Sequence, residues 1–209
     1  MSLFKSLFVF VFIGLAASAA QSDTPKEMVV LGLQVDQQFR QNLPAWSFSQ
    51  FLSRQKASQN MLYSATYMET LPVAKGGKQW SCLVEALYFE ARGESIAGQF
   101  AVAEVIMNRA DSRAFPNTVC GVVNQGTESR HACQFSYNCD GLAERIHEKT
   151  AYQLAGKVAD LVLNGAPRRL TSGAMFYHAK SVAPRWAKKL DRTTTIGEHH
   201  FYAHEAGKS

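Results

Sequence analysis

The sequence predicts an α+β protein, a mainly helical domain with a small β region near its C-terminal end. Apolar residues recur with a helical period from Trp80 to about residue 165, and the period then changes to that of short strands. Of the 209 residues, 46% are hydrophobic and 19% are charged. This composition supplies one compact core and excludes a disordered protein.

The first predicted helix carries a carboxylate on its apolar face. Leu83, Ala86, Leu87 and Glu90 stand at positions i, i+3, i+4 and i+7, which share one side of a helix. Gly93 follows them and suits a left-handed C-terminal cap. Glu90 is therefore expected in the last turn, facing the core or a cleft in it.

Two further helices are predicted. The second begins after the N-cap residue Ser95, ends near Ala110 and should be almost fully buried, because apolar residues cover most of its surface. A short apolar turn over residues 119–123 follows. Asp140 is predicted to cap a long third helix that ends before Gly165.

The tail is predicted to form short strands at residues 174–178 and 193–202. A turn at residues 196–198 interrupts the second of these. Because the helices precede the strands instead of alternating with them, the fold class is α+β.

Three segments are predicted along the chain. Residues 1–20 have the charged start, the apolar run and the small-residue end of a secretory signal peptide, and the run is too short for an uncleaved membrane anchor. Residues 21–79 form a Gln- and Ser-rich extension, and residues 80–205 form the main domain. The extension has aromatic residues that could dock on that domain, namely Phe39, Trp46, Phe48 and Phe51. The protein is expected to be an exported monomer that keeps no stable insertion in the membrane after signal cleavage.

Four cysteines, Cys82, Cys120, Cys133 and Cys139, all lie in the predicted main domain. Export places them in an oxidising compartment, where an even number of cysteines indicates disulfides. Three pairings are possible, and Cys82 with Cys120 plus Cys133 with Cys139 is preferred. A zinc site of Cys120, His131, Cys133 and Cys139 is the alternative, but Cys-x-x-Cys spacing is absent from the sequence. No metal and no cofactor are expected.

The formal net charge of +5 and the isoelectric point near 9.1 suit an anionic polymer as partner. Nucleic acid, teichoic acid, lipid headgroups and peptidoglycan all fit that description. Basic residues are scattered, without a run that alternates with stacking aromatics, and an exported protein seldom meets nucleic acid. Nucleic acid is therefore not expected as a partner.

Glu90 is the first candidate for a catalytic residue. Burial disfavours its charged form, and the negative end of the helix macrodipole acts in the same direction, so both raise the pKa of this carboxyl. A protonated carboxyl in apolar surroundings is the general acid that glycosidases use. The alternative is a structural ion pair between Glu90 and Arg92 or Arg109.

A resemblance to a known family favours the catalytic interpretation. Several blocks in order, spanning about residues 80–202, closely resemble the SleB-type cell-wall hydrolases, which are the spore-cortex-lytic enzymes and their relatives. The first block is Glu85-Ala-Leu-Tyr-Phe-Glu-Ala-Arg-Gly-Glu94. The remaining blocks are residues 98–109, 115–125, 133–136, 176–178, 184–186 and 196–201.

The resemblance implies a lysozyme-like or lytic-transglycosylase-like domain, without a metal, that cuts between N-acetylmuramic acid and N-acetylglucosamine with Glu90 as the catalytic acid. Its partner would be the peptidoglycan glycan strand, and its location the periplasm or the cell wall. A lytic transglycosylase needs one carboxyl group, whereas a hydrolase needs a second. Candidates for the second are Glu94, Glu104 and Asp140. We expect a structural role for each instead. Glu94 should help begin the next helix, and Glu104 should face solvent or pair with Asn108-Arg109. Asp140 should cap a helix.

A glycan groove also needs aromatic faces and polar groups. The candidate substrate-binding residues are Tyr88, Gln134, Ser136, Tyr177, His178 and Trp186. Each also has an ordinary structural interpretation in the core, in the loop between Cys133 and Cys139, or in a strand. A neutral imidazole at His178 could in addition assist proton movement.

Two other functions remain open at this point. An N-acetylmuramoyl-L-alanine amidase would cut the peptide stem and would commonly use zinc. The histidines of the tail are His178, His199, His200 and His204, but a strand places His199 and His200 on opposite faces, which is poor geometry for a chelate. A non-catalytic protein that only binds peptidoglycan is the other possibility.

Overall fold

A computed structural model describes Gln50, Ser53, residues 61–128 and residues 133–204. The chain divides into two units, Met1–Ser53 and Arg54–Ser209, and the account below concerns the second. The predicted signal peptide and the aromatic residues proposed to dock from the extension lie outside the described residues, as does His131.

Three helices form the centre of the fold, namely α2 (Lys78–Ala91), α3 (Ile96–Asp111) and α5 (Lys149–Leu163). A short helix before them, α1, spans Ala65–Thr70, and another between α3 and α5, α4, spans Val119–Val123. Helix α2 packs against α3, α4 and α5, so that its apolar face lies at the middle of the core. The predicted stripe of Leu83, Ala86 and Leu87 is fully buried, and α3 is buried along most of its length, as predicted.

The start of α3 agrees with the prediction, whereas the end of α2 does not. Ser95 caps α3, because its hydroxyl accepts a hydrogen bond from the amide of Gly98 at 3.1 Å. Helix α2 ends at Ala91, and its C-cap residue Arg92 keeps a right-handed backbone. Gly93 has no positive φ, so the predicted left-handed cap at this glycine is wrong.

The predicted start of the long helix is also wrong. Helix α5 begins at Lys149, nine residues after Asp140, and every residue from 141 to 148 is exposed. Asp140 instead closes a local turn, because its carboxylate accepts a hydrogen bond from the amide of Leu142 at 2.8 Å. Gly141 follows with φ of +78°, a left-handed conformation that interrupts a helix. Leu142 and Ile146, which the pattern placed on an apolar helical face, are 72% and 40% exposed.

The C-terminal region forms a three-stranded antiparallel sheet in the order β1-β3-β2. Strand β1 spans Phe176–Ala179, β2 spans Asp191–Ile196 and β3 spans His199–Ala203. The predicted turn is present between β2 and β3, where Gly197 has φ of +54°. Helices followed by a small sheet confirm the predicted α+β class.

Side chains of α3 attach the sheet to the helices. The amide nitrogen of Asn108 donates a hydrogen bond to the carbonyl of Ala174 at 2.9 Å, and Nε of Arg109 donates to the carbonyl of Met175 at 2.6 Å. These two contacts fix the chain just before β1. Strand β1 therefore lies at a defined position relative to the helical core.

Helix α1 lies within the segment predicted as an extension, and it packs on the core. Met68 is 2% exposed, and its carbonyl accepts a hydrogen bond from Nζ of Lys157 at 2.8 Å. Tyr63, just before α1, contacts Phe100 edge to face with ring centres 5.0 Å apart. Residues from about 62 onward therefore contribute to the same hydrophobic core as α2 and α3.

Two disulfides join Cys82 to Cys120 and Cys133 to Cys139, which confirms the preferred pairing. The first ties α2 to α4, and the second closes the loop that contains the 3-10 helix Ser136–Cys139. None of the described helices has both the length and the hydropathy of a membrane span.

Candidate active site

Glu90 lies in the last turn of α2, as predicted, and its side chain is partly buried. The hydroxyl of Tyr177 donates a hydrogen bond to Oε2 of Glu90 at 3.2 Å. Burial raises the pKa of the Glu90 carboxyl, and the hydrogen bond from Tyr177 opposes this effect without cancelling it. A carboxyl in this environment keeps its proton at a higher pH than an exposed glutamate does.

The ion pairs considered as the alternative role for Glu90 are not formed. Nε of Arg92 lies 3.0 Å from Oε1 of Glu148, and Nε of Arg109 binds the carbonyl of Met175. Across residues 61–128 and 133–204, no basic side chain forms an ion pair with Glu90. The carboxyl is therefore partnered by a neutral phenol instead of a cation.

Tyr177 stands on β1 and joins the sheet to helix α2 through its contact with Glu90. Burial raises the pKa of this phenol well above its usual value, and the nearby Glu90 carboxylate raises it further. The hydroxyl therefore stays protonated and serves as a hydrogen-bond donor. Of the six predicted substrate-binding residues, Tyr177 is the one that contacts Glu90 directly.

Tyr137 is a residue of this region that the sequence analysis did not single out. It is 7% exposed, and its ring stacks on Phe89 with ring centres 4.6 Å apart. Its buried hydroxyl has no hydrogen-bond partner among the described residues. Burial raises the pKa of this phenol, and the carboxylates of Glu85 and Glu90 add to the effect. An aromatic residue inside a short disulfide loop was the only sequence signal for it.

Glu85, one helical turn and a half before Glu90 on α2, is a second carboxyl with a perturbed pKa. Burial raises the pKa of Glu85, and the nearby Glu144 carboxylate contributes in the same direction. Glu85 lies off the apolar stripe of the helix, so the helical pattern did not predict its burial. The carboxylates of both Glu85 and Glu90 raise the pKa of the Tyr137 phenol.

The other predicted substrate-binding residues occupy different environments. Gln134 and Ser136 are exposed in the disulfide loop, and Trp186 is 37% exposed in the 3-10 helix Arg185–Lys189. Gln134 and Trp186 line the same cavity as Tyr177. Tyr88 is only 1% exposed, and its hydroxyl accepts hydrogen bonds from the amides of His147 and Glu148, both at 3.1 Å. This geometry gives Tyr88 the structural task of holding the segment that precedes α5.

Both ring nitrogens of His178 are engaged within the sheet. Nδ1 lies 2.9 Å from the carbonyl of Ala179 and Nε2 lies 2.9 Å from the hydroxyl of Tyr202. A carbonyl can only accept, so the tautomer with the proton on Nδ1 fits these contacts. The ring also stacks on that of Tyr202 with centres 5.2 Å apart.

Glu94 was expected to help begin helix α3, but its side chain instead binds the β2–β3 turn. Its side chain is 7% exposed, and its two carboxylate oxygens accept the amide of Glu198 at 3.0 and 3.2 Å. Nδ1 of His199 lies 3.0 Å from Oε1, although off the line of a ring N–H hydrogen bond. Burial lowers the pKa of His199 against the opposing effect of Glu94. A β-carbon at Gly197 would collide with this carboxylate, which explains the glycine in the turn.

Glu104 is neither solvated nor paired with Asn108-Arg109, so that prediction is wrong. The residue is 2% exposed, and its carboxylate accepts three hydrogen bonds from the segment before β1. Oε2 accepts from the amide of Leu170 at 3.0 Å, and Oε1 accepts from the amide and the hydroxyl of Thr171 at 3.0 and 2.6 Å. A buried carboxylate with this many donors has a structural task.

The zinc sites considered as alternatives lack suitable ligands in the described part of the chain. Cys120, Cys133 and Cys139 are oxidised in disulfides, so they supply no thiolate. His178 and His200 face each other across β1 and β3, but Nδ1 of His200 lies 2.8 Å from the hydroxyl of Thr195. No group of three or more histidine, cysteine or acidic residues with metal-binding geometry is found within residues 61–128 and 133–204.

Relatives of the chain are found among bacterial enzymes. The spore cortex-lytic enzyme of Bacillus cereus is 33% identical over 120 residues, which are 57% of this chain and 42% of that protein. The spore cortex-lytic enzyme of Halalkalibacterium halodurans is 32% identical over 132 residues, which are 63% of this chain and 36% of that protein. The chain thus spans about two fifths of the length of the curated relatives that it matches.

A solved structure is also similar. The catalytic domain of the germination-specific lytic transglycosylase SleB from Bacillus anthracis is 28% identical, with a TM-score of 0.47, and the match covers 64% of this chain and all of that chain. The family model described as Cell Wall Hydrolase matches residues 93–202, which begin three residues after Glu90 and make up just over half of the 209 residues. The chain therefore belongs to the Cell Wall Hydrolase family.

Proposed function

We propose that this protein is a lytic transglycosylase that cleaves the glycan strand of peptidoglycan with Glu90 as its single acid/base residue. The observation that carries the proposal is a partly buried carboxyl, of raised pKa, that is hydrogen-bonded by a neutral tyrosine and free of any described cation. Membership of the Cell Wall Hydrolase family supports the substrate class. The relatives named spore cortex-lytic enzymes support it as well.

In the proposed reaction, Glu90 first donates its proton to the glycosidic oxygen that links N-acetylmuramic acid to N-acetylglucosamine. The bond from C1 of the muramic residue to that oxygen breaks, and N-acetylglucosamine leaves with the proton. The 6-hydroxyl of the muramic residue then attacks C1, and Glu90 takes up the proton of that hydroxyl. The product is a 1,6-anhydro ring, and Glu90 returns to its protonated form without the addition of water.

The state of the other carboxylates supports a mechanism with one carboxyl. The three candidates for a second catalytic carboxylate each have a structural partner: Glu94 binds the amide of Glu198, Glu104 binds Leu170 and Thr171, and Asp140 binds the amide of Leu142. A hydrolase would need a second carboxylate free to act as nucleophile or base. Glu85 is the remaining acidic residue on the same helix, and it is tested below.

The proposal extends to the context in which the enzyme acts. Residues 1–20 direct export and are removed, residues 80–205 carry the catalysis, and the protein works as a monomer in the periplasm or at the cell wall. Gln134, Ser136, Tyr177, His178 and Trp186 contribute to binding the glycan. The positive net charge favours association with the anionic polymer.

Digestion of purified sacculi with the full-length mature protein, followed by mass spectrometry of the soluble products, tests the proposed reaction. We expect anhydro-muropeptides, which are 18 mass units lighter than the hydrated products because no water is added. Reducing muropeptides would instead indicate a hydrolase, and free stem peptides an amidase. Absence of soluble products, with retained binding to sacculi, would indicate a protein that only binds peptidoglycan.

Replacing Tyr177 by phenylalanine tests the role of the hydrogen bond that Tyr177 of β1 donates to Glu90. The hydrogen bond from Tyr177 lowers the pKa of Glu90, so its removal should raise that pKa further and move the alkaline limb of the rate profile to higher pH. We also expect kcat to fall by about tenfold, because the carboxyl loses a group that orients it. A turbidity assay on sacculi across the pH range measures both effects.

Tyr202→Phe is the matched control for that substitution. Tyr202 lies on β3, and its hydroxyl contacts His178 instead of Glu90. Its loss should leave the alkaline limb in place. An alkaline limb that does not move in Tyr177→Phe, or that moves equally in both variants, would contradict the role given to Tyr177.

A further inference from the structure

A cavity of about 500 Å³ lies beside Tyr177. Its wall includes Arg109 from helix α3, Phe176 and Tyr177 from β1, and Trp186 and Lys189 from the 3-10 helix that follows. Tyr177 belongs both to this wall and to the Glu90 hydrogen bond, so the cavity adjoins the site of the proposed reaction.

Arg109 is a buried cation without a counterion. It is 1% exposed, and its guanidinium lies 5.1 Å from the ring centre of Phe115 and 5.4 Å from that of Phe176. Nε donates to the carbonyl of Met175, but Nη1 has no hydrogen-bond partner within the described part of the chain. No described carboxylate forms an ion pair with it either.

The described residues therefore do not fully offset the cost of burying the charge of Arg109. A buried charge is tolerated when it is paired and fully hydrogen-bonded, and the aromatic rings supply only part of that stabilisation. Burial lowers the pKa of Arg109 to about 10, which still leaves the group charged at neutral pH. An anion bound in the cavity would supply the counterion that this guanidinium lacks among the described residues.

The remaining wall fits an anion carried on a sugar. Lys189 and His204 are exposed and line the cavity, which adds positive potential at its opening, and its lining residues include no aspartate or glutamate. Phe176 and Trp186 also line the cavity, and aromatic rings suit the carbon skeleton of a sugar or of its substituent. Gln134 adds an amide that can bind a hydroxyl or N-acetyl group.

We propose that the Arg109 cavity binds a carboxylate group of the peptidoglycan strand while the adjoining glycosidic bond is held at Glu90. This inference rests on the proposed function for its substrate class. Two carboxylates of the strand have the required chemistry: that of the lactyl group on a muramic residue without a peptide, and that of a peptide stem. Binding of either one would position the muramic residue for cleavage and make its substituent part of the specificity.

The test measures binding of small ligands that the enzyme cannot cleave, so that it is independent of the catalytic proposal. Nuclear magnetic resonance titrations of the full mature protein would use N-acetylmuramic acid, its methyl ester and N-acetylmuramoyl-L-alanine. The free acid offers the lactyl carboxylate, the alanine derivative offers a stem carboxylate, and the ester offers none. We expect the ester to bind at least about tenfold more weakly than the better of the two acids, the difference that a charge-assisted hydrogen bond provides.

Variants locate that binding in the cavity. Arg109→Gln should remove the preference for the acid over the ester, and Lys189→Ala should weaken binding of the acid by about threefold, the smaller effect of an exposed charge. Lys188→Ala is the matched control, because Lys188 is exposed in the same 3-10 helix but does not line the cavity. The Lys188→Ala variant should bind the acid with unchanged affinity. If Arg109→Gln fails to fold, the affinities of Lys189→Ala and Lys188→Ala for the acid are compared instead, and this comparison tests the proposal.

Equal affinity for the acids and the ester, undetectable binding of all three ligands, or equal effects of Lys189→Ala and Lys188→Ala would overturn the proposal. Preference for the free acid identifies the lactyl carboxylate as the ligand, and preference for the alanine derivative identifies the stem. Failure of the proposed reaction would look different: the acid would still bind, but sacculi would release no anhydro-muropeptides.

Discussion

Glu90→Gln is expected to reduce the release of soluble muropeptides from sacculi by about 10³-fold or more, because in the proposed mechanism this one group serves as both acid and base. Glutamine has the shape of glutamate and can accept the hydrogen bond from Tyr177, but it cannot donate a proton to the leaving oxygen. The thermal unfolding midpoint should not fall, since burial disfavours the charged form of this carboxyl and a neutral amide has no charge to bury. Product release by mass spectrometry and unfolding by circular dichroism measure the two quantities.

Glu85→Gln is the matched control for this prediction. Glu85 lies on the same helix, and burial raises its pKa as well, so the substitution changes a second partly buried carboxyl five residues away. A transglycosylase with one acid should keep most of its activity in this variant. Full activity of Glu90→Gln would refute the assignment of Glu90, whereas loss of activity in both variants would favour a hydrolase with two carboxylates.

Sequence periodicity predicted those parts of the fold that depend on local pattern. The apolar stripe of α2 with Glu90 at its end, the burial of α3 after Ser95, and the turn at Gly197 are all present. Each of these features depends on residues that are close to one another in the sequence, so one short stretch of sequence is enough to predict it. The disulfide pairing followed from the short loop between Cys133 and Cys139, which left one partner for Cys82.

Interactions between distant residues account for the failures. The two carboxylates with incorrectly predicted environments, Glu94 and Glu104, bind groups 104 and 66 to 67 residues away in the chain. Nothing in the helical pattern around either residue indicates a partner in the C-terminal segment. Asp140 failed for a different reason: a turn with its own side chain, followed by the left-handed Gly141, competed with the helix that its apolar neighbours suggested.

In the candidate active site, too, some features depend on local sequence and others on contacts between distant residues. The partly buried position of Glu90 could be predicted because the residue continues the apolar stripe of its own helix. Its hydrogen bond with Tyr177, 87 residues later, depends on where β1 is attached to α3. The buried, unpaired state of Arg109 also depends on that attachment, because its Nε binds the chain just before β1. The attachment therefore determines both the acid site and the adjoining cavity.

Glu104 holds that attachment, and its replacement by alanine is expected to lower the free energy of unfolding by about 5 kcal/mol. The substitution leaves three donors without their acceptor, namely two amides and the hydroxyl of Thr171, and each unsatisfied buried group costs about 1 to 3 kcal/mol. Since domains are stable by about 5 to 15 kcal/mol in total, the variant should be close to unfolding. Urea denaturation followed by circular dichroism measures the change.

Two comparisons separate the loss of these hydrogen bonds from the loss of a charge on α3. Asp111→Ala removes a carboxylate from the end of the same helix, but its ion pair with Arg168 is exposed, so the cost should stay below about 1 kcal/mol. Thr171→Val removes only the hydroxyl donor, and its effect should largely disappear in the Glu104→Ala background, because the acceptor is already gone. Additive effects of Glu104→Ala and Thr171→Val, or equal costs for Glu104→Ala and Asp111→Ala, would mean that Glu104 does not hold the segment before β1. The position of Tyr177 against Glu90 would then need another explanation.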